Sequence, residues 1–251
     1  MSRHNISDEN WQRIESLFCP SRTSSRGRPA TDPRLIFNGI LWILRTGSPW
    51  RDLLKDFGPW QTVYKRFNSW AKSPTLHNLL EELAKDADLE SIMLDGSYVR
   101  VHQHASGGEG GRELQDIGRS RGGLTTKIHA VVDALGNPVR VRLTAGNVND
   151  CIPALELIGC LPAKNVIADK AYDVQYIIDH ILSQGSNPVI PPKKNRVEKR
   201  EYDKHLYKER HLVENFFCKL KEFRRVATRY EKLAATFLAM VNIASCLIWL
   251  R

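Results

Sequence analysis

Between residues 206 and 223, apolar side chains recur at helical spacing, and no proline or glycine interrupts them. The pattern predicts an amphipathic helix. Because each helical residue turns by about 100°, four side chains share one narrow stripe beside the buried face: Tyr207, Arg210, Glu214 and Lys221. The stripe holds a carboxylate between two cations. Taken alone, Arg210 and Glu214 are more typical of a surface ion pair, which stabilises a helix by about 0.2–0.5 kcal/mol.

Two apolar runs that each end in aspartate predict buried strands. The first covers 91–95 and ends at Asp95, and the second covers 165–169 and ends at Asp169. Short apolar runs followed by turn residues are typical of interior strands, whose ends lie at a sheet edge where ligands bind. With Glu214 on a helix, three carboxylates are able to converge on one point. Hard divalent cations such as magnesium prefer these oxygen ligands.

Residues 1–85 have the pattern of a small all-α domain, and residues 88–251 have that of an α/β domain. The predicted helices of the first part cover 7–18, 32–44 and 60–71. Ser7 is the expected N-cap of the first helix. Helices joined by a short turn, with Lys65 and Arg66 exposed, favour a helix-turn-helix that binds DNA. The alternative is a helical domain whose polar face contacts only solvent.

The second part alternates between strand and helix patterns. Its further predicted strands are 97–102, 125–132, 139–143 and 188–190, and its further predicted helices are 152–158, 173–183 and a long terminal helix through Trp249. We expect the strand from 97 to continue that of Asp95 in a new direction, and 125–132 to pair with 139–143 as a hairpin. Residues 105–123 hold seven glycines, which predicts a mobile surface loop.

Charge is distributed unevenly along the 251 residues, whose net charge is +9. Residues 1–80 carry 12 Lys or Arg against 6 Asp or Glu, residues 81–187 carry 10 against 15, and residues 188–250 carry 14 against 7. Basic flanks around an acidic middle suit a protein that binds phosphates with its ends and metal with its centre. Charge swings of this size are also found on ordinary solvated surfaces.

The cysteine content and the terminal segments of the sequence favour a cytoplasmic location. The five cysteines form no Cys-x-x-Cys pair, so we expect reduced thiols in a cytoplasmic protein and no zinc site. The N-terminus lacks the apolar core of a signal peptide. The longest apolar tract, 237–250, has 14 residues and is too short to span a bilayer.

The motifs that carry these carboxylates resemble those of a known family. The order Asp95, Asp169, Glu214, with Tyr-x2-Arg-x3-Glu-x6-Lys around the glutamate, resembles the DDE transposases of bacterial insertion sequences, and most closely their IS-five-like group. Further matching segments are 94–100 (LDGSYVR), 102–105 (HQHA), 118–129 (GRSRGGLTTKIH), 168–173 (ADKAYD) and 189–192 (VIPP). The chain departs from the expected motifs at Gly96, where we expect serine, and at Ala171, where we expect glycine.

The resemblance implies a ribonuclease-H-like mixed sheet flanked by helices, preceded by the small helix-turn-helix domain. It implies that residues 1–85 bind DNA and residues 88–251 catalyse. Asp95, Asp169 and Glu214 would hold two Mg²⁺ ions, with Mn²⁺ as an alternative. The implied reaction is cleavage at the ends of an element and joining of the 3′-hydroxyls to target DNA. The implied partners are double-stranded inverted repeats and target DNA, bound by a homodimer or larger assembly on the nucleoid, without a membrane.

The resemblance also suggests which residues contact DNA. Tyr207, Arg210 and Lys221 are expected near the cut. Basic candidates elsewhere are Arg26 and Arg28 in the loop 20–30, Lys65 and Arg66, Arg119 and Arg121, and Lys193 and Lys194. The Arg-Gly-Arg-Pro segment at 26–29 resembles a minor-groove hook, although a plain linker is the alternative.

The sequence leaves some alternatives open. Asp150 is a rival carboxylate, but it precedes a predicted helix and is expected to be an N-cap or a nearby support. For His102 and His104, a structural or phosphate-contacting role is favoured over metal binding. Competing functions are a nuclease of the same fold without strand transfer, and an inactive regulator that only binds DNA.

Overall fold

The computed structural model describes residues 5–18, 31–197 and 199–251. Its α-helices are α1 (Asp8–Ile14), α2 (Pro33–Thr46), α3 (Trp60–Lys72), α4 (Thr75–Leu83), α5 (Ala154–Ile158), α6 (Gln175–Ser183), α7 (His211–Lys221), α8 (Arg224–Ala227) and α9 (Ala234–Trp249). Its strands are β1 (Ser91–Val101), β2 (Gly118–Ser120), β3 (Gly123–Val132), β4 (Pro138–Ala145), β5 (Asn165–Ala168), β6 (Asn187–Val189) and β7 (Thr228–Arg229). The predicted loop candidates Arg26 and Arg28 lie outside the described residues.

Local capping explains where the first helices begin and end. The Ser7 side chain accepts a hydrogen bond from the Asn10 N–H and caps α1, as predicted. Asp32 caps α2 in the same way, by accepting from the Arg34 N–H, and Pro33 occupies the first turn where its missing donor is harmless. Gly47 ends α2 with a φ of 74°, a left-handed conformation that favours glycine.

The sheet is mixed and ribonuclease-H-like, as the resemblance implied. Its main order is β4-β3-β1-β5-β6, since β4 and β2 share one edge of β3. β3 lies antiparallel to both β1 and β4, which confirms the predicted hairpin. β5 is parallel to β1, and β6 is parallel to β5. Two residues of β7 add to the far end of β1.

Several predicted boundaries were wrong. β1 continues through Val101 with unbroken pairing to β3, so the strand does not change direction after Asp95. The segment 105–123 contains β2 and one short 3₁₀ turn, Glu113–Gln115. α5 begins at Ala154, because the Asn149 side chain accepts from the Cys151 N–H and holds the preceding residues in a turn. α6 begins only at Gln175, after a 3₁₀ turn at 170–172.

The helix predicted over 207–221 begins at His211 and, as predicted, ends at Lys221. Residues 206–210 form a 3₁₀ turn instead, because the Asp203 carboxylate accepts from the N–H groups of His205 and Leu206 and tightens the chain there. A 3₁₀ turn has about three residues per turn. Tyr207 and Arg210 therefore still lie on one side of the turn, and Arg210 pairs with Glu214 four residues on, at the start of α7.

The two faces of the sheet pack against different helices. One face shares a continuous apolar cluster with α1–α4, α7 and α9, in which Phe37, Phe216 and Phe237 are fully buried. The other face packs against α5 and α6, around Tyr172 and Ile177. Apolar packing thus runs without a break from residues 5–85 into the sheet, and the division into two domains stays a prediction. Within the described chain, every helix is too short or too polar for a membrane crossing.

Replacing Gly47 by alanine should destabilise the fold. Alanine at this position would have to adopt the left-handed backbone conformation, which costs about 1–2 kcal/mol. Its Cβ would also lie 3.0 Å from the Arg224 Cβ. Urea unfolding should show a loss of at least about 1 kcal/mol. Gly107→Ala is the matched control, because nothing lies within 4 Å of the position that its new methyl group would take. Equal stability of the two variants would contradict the assignment.

Candidate active site

Asp95 and Asp169 are neighbours because β1 and β5 pair in parallel. Met93 lies opposite Ile167 and Leu94 opposite Ala168, so the next residue on each chain is an aspartate. Side chains alternate between the faces of a sheet. Both carboxylates therefore lie on the same face of the sheet as Met93 and Ile167, which is the face that α7 covers.

Arg210 links Asp95 to Glu214 across the gap between sheet and helix. Its Nη1 donates to the Asp95 Oδ2 at 2.9 Å, and its Nη2 donates to the Glu214 Oε1. The arginine side chain is only 22% exposed, so it is more than a surface partner of Glu214. Asp95 and Glu214 thus lie within the span of one guanidinium, with Asp169 beside Asp95.

Burial and like charge act together on Asp95. Burial raises the pKa of its carboxyl, the Gly96 N–H and Arg210 lower it, and the nearby Asp169 and Asp150 raise it further, with a net upward shift. The Gly96 N–H donates to the Asp95 Oδ1 at 2.7 Å. At Asp169, the Oδ1 accepts from the Ala171 N–H at 2.7 Å. A positive charge placed between these carboxylates would relieve their repulsion.

The donor chemistry of these residues fits a divalent cation. Carboxylate oxygens are the ligands that Mg²⁺ prefers, and the Arg210 guanidinium shows that positive charge is stabilised between Asp95 and Glu214. In the part of the chain that the structure describes, no three His, Cys, Asp or Glu side chains are arranged as a metal centre. The Arg210 guanidinium lies between Asp95 and Glu214 and bonds to both.

A buried charged cluster lies under Gly96, on the opposite face of the sheet. The Lys127 Nζ is 2.9 Å from the Asp150 Oδ1 and also donates to the Val148 carbonyl at 2.9 Å. The His129 Nδ1 lies 3.5 Å from the same Asp150 oxygen. Asp150 is thus a support beneath the site and not a helix N-cap. Sequence reasoning missed this buried lysine, because a lysine within a β-rich run normally faces solvent.

This cluster explains why glycine occupies position 96. A Cβ there would lie 2.9 Å from the Asp150 Oδ1 and 3.0 Å from the His129 Nδ1. Both atoms are held by neighbours, since Lys127 pairs with Asp150 and the His129 Nε2 hydrogen-bonds the Thr144 hydroxyl at 2.8 Å. The serine expected from the motif therefore has no room in this chain.

Comparisons with known proteins identify the family. The family model described as "Transposase DDE domain" matches residues 87–249, and the one described as "Putative transposase of IS4/5 family" matches residues 6–80. The first match alone spans more than half of the chain. The chain belongs to the DDE transposase family.

Similar proteins carry related names. The "Putative transposase for insertion sequence element IS6501" of Brucella ovis is 43% identical over 130 residues, which are 51% of this chain and 100% of that protein. The "Putative transposase for insertion sequence element IS402" of Burkholderia cepacia is 32% identical over 135 residues, covering 49% of this chain and 62% of that protein.

Two solved transposase structures overlap the chain loosely. A piggyBac transposase synaptic complex with hairpin DNA covers 96% of this chain and 72% of that one, with a TM-score of 0.43 and 10% identity. A Mos1 transposase paired-end complex with the left transposon end covers 91% and 86%, with a TM-score of 0.28 and 13% identity. The family assignment rests on the sequence matches.

Two other residues of the signature in this DDE family member, Lys221 and Tyr207, lie near residues adjoining Asp95. The Lys221 Nζ donates to the Ser97 hydroxyl at 2.7 Å, on the same face of β1 as Asp95. The Tyr207 ring lies edge-on to Tyr202, with centroids 5.6 Å apart. Burial raises the pKa of the Tyr207 hydroxyl, and Arg210 and Asp169 are among the groups that act on it. Arg210 thus contacts Asp95, Tyr207 lies near Arg210 and Asp169, and Lys221 contacts the side chain two residues beyond Asp95 on β1.

The remaining basic candidates are spread over the surface. Exposed side chains are those of Lys65 on α3, Arg119 on β2, Arg121 in the following turn, and Lys194, whereas Arg66 and Lys193 are half-buried. The segment that carries Lys193 is fixed by the buried Asp173, which accepts from the Lys193 N–H at 2.8 Å. Arg196 and Arg200 also donate to Asp173, at 2.6 and 3.1 Å. Asp173 thus connects the basic segment 193–200 to the chain that follows Asp169.

His129 should make stability depend on pH. Burial is the main cause that lowers the pKa of His129 to about 4, so the unfolded chain binds more protons than the native one between about pH 4 and 6.5. The free energy of unfolding should therefore fall as pH is lowered across this window, by up to about 3 kcal/mol from this group. Urea unfolding at several pH values should show a flatter profile for His129→Gln.

The control for this experiment is His77→Gln, because the His77 side chain is 66% exposed. That variant should keep the pH profile of the unmodified chain. A His129→Gln profile that parallels both would contradict burial of a neutral imidazole at this position.

Proposed function

We propose that this chain is an active transposase that binds the terminal inverted repeats of an insertion sequence, cleaves DNA at the element ends and joins the 3′-hydroxyls to target DNA. The observation that carries the proposal is that the pairing of β1 with β5 makes Asp95 and Asp169 neighbours, while Arg210 bonds to both Asp95 and Glu214. The family match supplies the reaction class.

Asp95, Asp169 and Glu214 would hold two Mg²⁺ ions, or Mn²⁺ in their place, and bound divalent ions would supply Lewis-acid activation of the attacking and leaving oxygens. In the structure, Arg210 hydrogen-bonds both Asp95 and Glu214 and offsets part of their negative charge. Once those carboxylates have another cation, the guanidinium is free to turn toward a DNA phosphate, for which its planar donors are well suited. Tyr207 and Lys221 flank the same position and would orient the terminal nucleotides.

Double-stranded DNA is the proposed partner, bound as a homodimer or larger assembly that brings two element ends together. The net charge of +9 supports a polyanionic partner. Lys65, Arg66, Arg119, Arg121, Lys193 and Lys194 are the proposed backbone contacts, together with Arg26 and Arg28. Such contacts position the duplex and do not read its sequence.

Asp95→Asn and Asp169→Asn should abolish magnesium-dependent cleavage of a duplex that carries the inverted repeat flanking the gene. Each change removes a charge that stabilises the reacting centre by several kcal/mol, which corresponds to a rate loss of at least about a hundredfold. Glu214→Gln should behave in the same way. Binding of the same duplex, measured without divalent ions, should stay within about threefold, because these residues add no positive charge.

Matched controls are Asp179→Asn, whose carboxylate accepts from Gln175 on α6, and Glu222→Gln, whose carboxylate pairs with Arg251 beyond the signature. Both should cleave normally. Full cleavage by Asp95→Asn would remove that residue from the site. A strand-transfer assay on pre-cut ends separates transposition from simple nuclease activity, and binding without any cleavage would favour a regulator.

A further inference from the structure

An aromatic cleft lies between the helical part and the far end of the sheet. Two adjoining cavities of about 700 and 440 Å³ share six lining residues: Trp50, Tyr64, His104, Arg225, Tyr230 and Lys232. We call this feature the aromatic cleft. Cavities of this size are in the range of small-molecule sites, and a single nucleobase is smaller than either one.

Aromatic rings stand on both walls of the aromatic cleft. On the helical side, the centroids of Trp50 and Tyr64 are 5.1 Å apart. On the sheet side, His102 and Tyr230 are 4.7 Å apart, with their planes inclined by 31°. The Tyr64 side chain is 40% exposed, so part of its ring is accessible to a ligand. Rings that face a cavity from two sides are suited to stacking with a flat ligand.

A buried carboxylate adds a polar group to the wall. Glu231 is 7% exposed and lines the smaller cavity. Its Oε1 accepts from the Arg225 Nε at 2.7 Å, whereas its Oε2 is buried and has no hydrogen-bond partner within the described residues. A buried acceptor without a partner is costly. Because solvent does not reach this oxygen, Glu231 contributes negative charge to the wall through Arg225 and is not itself a contact for a ligand.

The rim of the aromatic cleft is cationic. Lys232 and Arg51 line it, and both side chains are exposed. Neither forms an ion pair with any residue that the structure describes. The Arg51 guanidinium lies 5.9 Å from the Trp60 ring centroid. Glu109 and Glu231 line only the smaller cavity, whereas Arg51 and Trp60 line only the larger one, so positive charge is concentrated on the Trp60 side.

We propose that the aromatic cleft binds an unstacked nucleotide of single-stranded DNA. The base stacks between the Trp50–Tyr64 wall and the His102–Tyr230 wall. The phosphates lie toward Lys232 and Arg51. Aromatic platforms joined to a cationic groove are the usual means of binding single strands. The proposal rests on the proposed function in one respect, namely that DNA is the substrate.

The test measures fluorescence anisotropy of a labelled single-stranded (dC)10 with the full chain in EDTA, where no cleavage occurs. Loss of one stacked base costs about fivefold or more in affinity, so Tyr64→Leu should weaken binding by that factor. Tyr64→Phe keeps the ring and should bind within about twofold of the unmodified chain. Lys232→Gln should bind more weakly and lower the slope of log affinity against log salt by about 0.7.

A blunt duplex of ten base pairs is the second probe, and its affinity should be the same for Tyr64→Leu and the unmodified chain. Circular dichroism melting checks that each variant folds. The proposal is overturned if (dC)10 does not bind, if Tyr64→Leu binds it normally, or if single-strand and duplex affinities fall together. These outcomes are independent of cleavage, so the cleft and the proposed transposase activity fail separately.

Discussion

The parallel pairing of β1 with β5 is the contact on which the candidate site depends. Its register sets Leu94 beside Ala168 and so makes Asp95 and Asp169 neighbours. A slip by one residue would send one carboxylate to the other face of the sheet. Burial fixes the register, because Leu94 is buried in the cluster of one face and Met93 in that of the other. The apolar core therefore specifies where the acidic residues meet.

The carboxylates of the site repel one another, and neighbouring groups offset part of that repulsion. Asp95 is partly buried beside like charges, and an uncompensated carboxylate in such a position is unfavourable. Arg210 and the Gly96 N–H provide the compensation in this structure. An external cation would compete with Arg210 for the same oxygens, so occupation of the site and the position of this side chain are coupled. The surrounding fold stabilises positive charge there, whichever group supplies it.

Much of this arrangement could be predicted from local sequence. The ends of α2 follow from Asp32, Pro33 and Gly47, and the strand of Asp95 follows from its apolar run and the turn residues after it. These signals lie within a few residues of the feature they determine. The family motifs then identified which carboxylates belong together, something that periodicity alone left open.

What the sequence did not reveal depends on distant partners. Lys127 is 2% exposed because Asp150 and the Val148 carbonyl, more than twenty residues away, satisfy its ammonium. The 3₁₀ turn before α7 follows from a single side-chain cap at Asp203, which competes with the helical periodicity. In both cases, a specific polar contact determines the local structure, and such a contact leaves no periodic pattern in the sequence from which it could be predicted.

β1 also fixes the distance between the candidate active site and the aromatic cleft. Asp95 and His102 are seven residues apart along the chain, and a strand rises about 3.3 Å per residue, which separates them by about 23 Å. The far end is held by Arg229, which is fully buried and donates to the Thr126 hydroxyl at 2.6 Å and to the Glu231 carbonyl at 3.0 Å. Because β1 is paired on both sides and anchored at its far end, this separation is a fixed property of the fold.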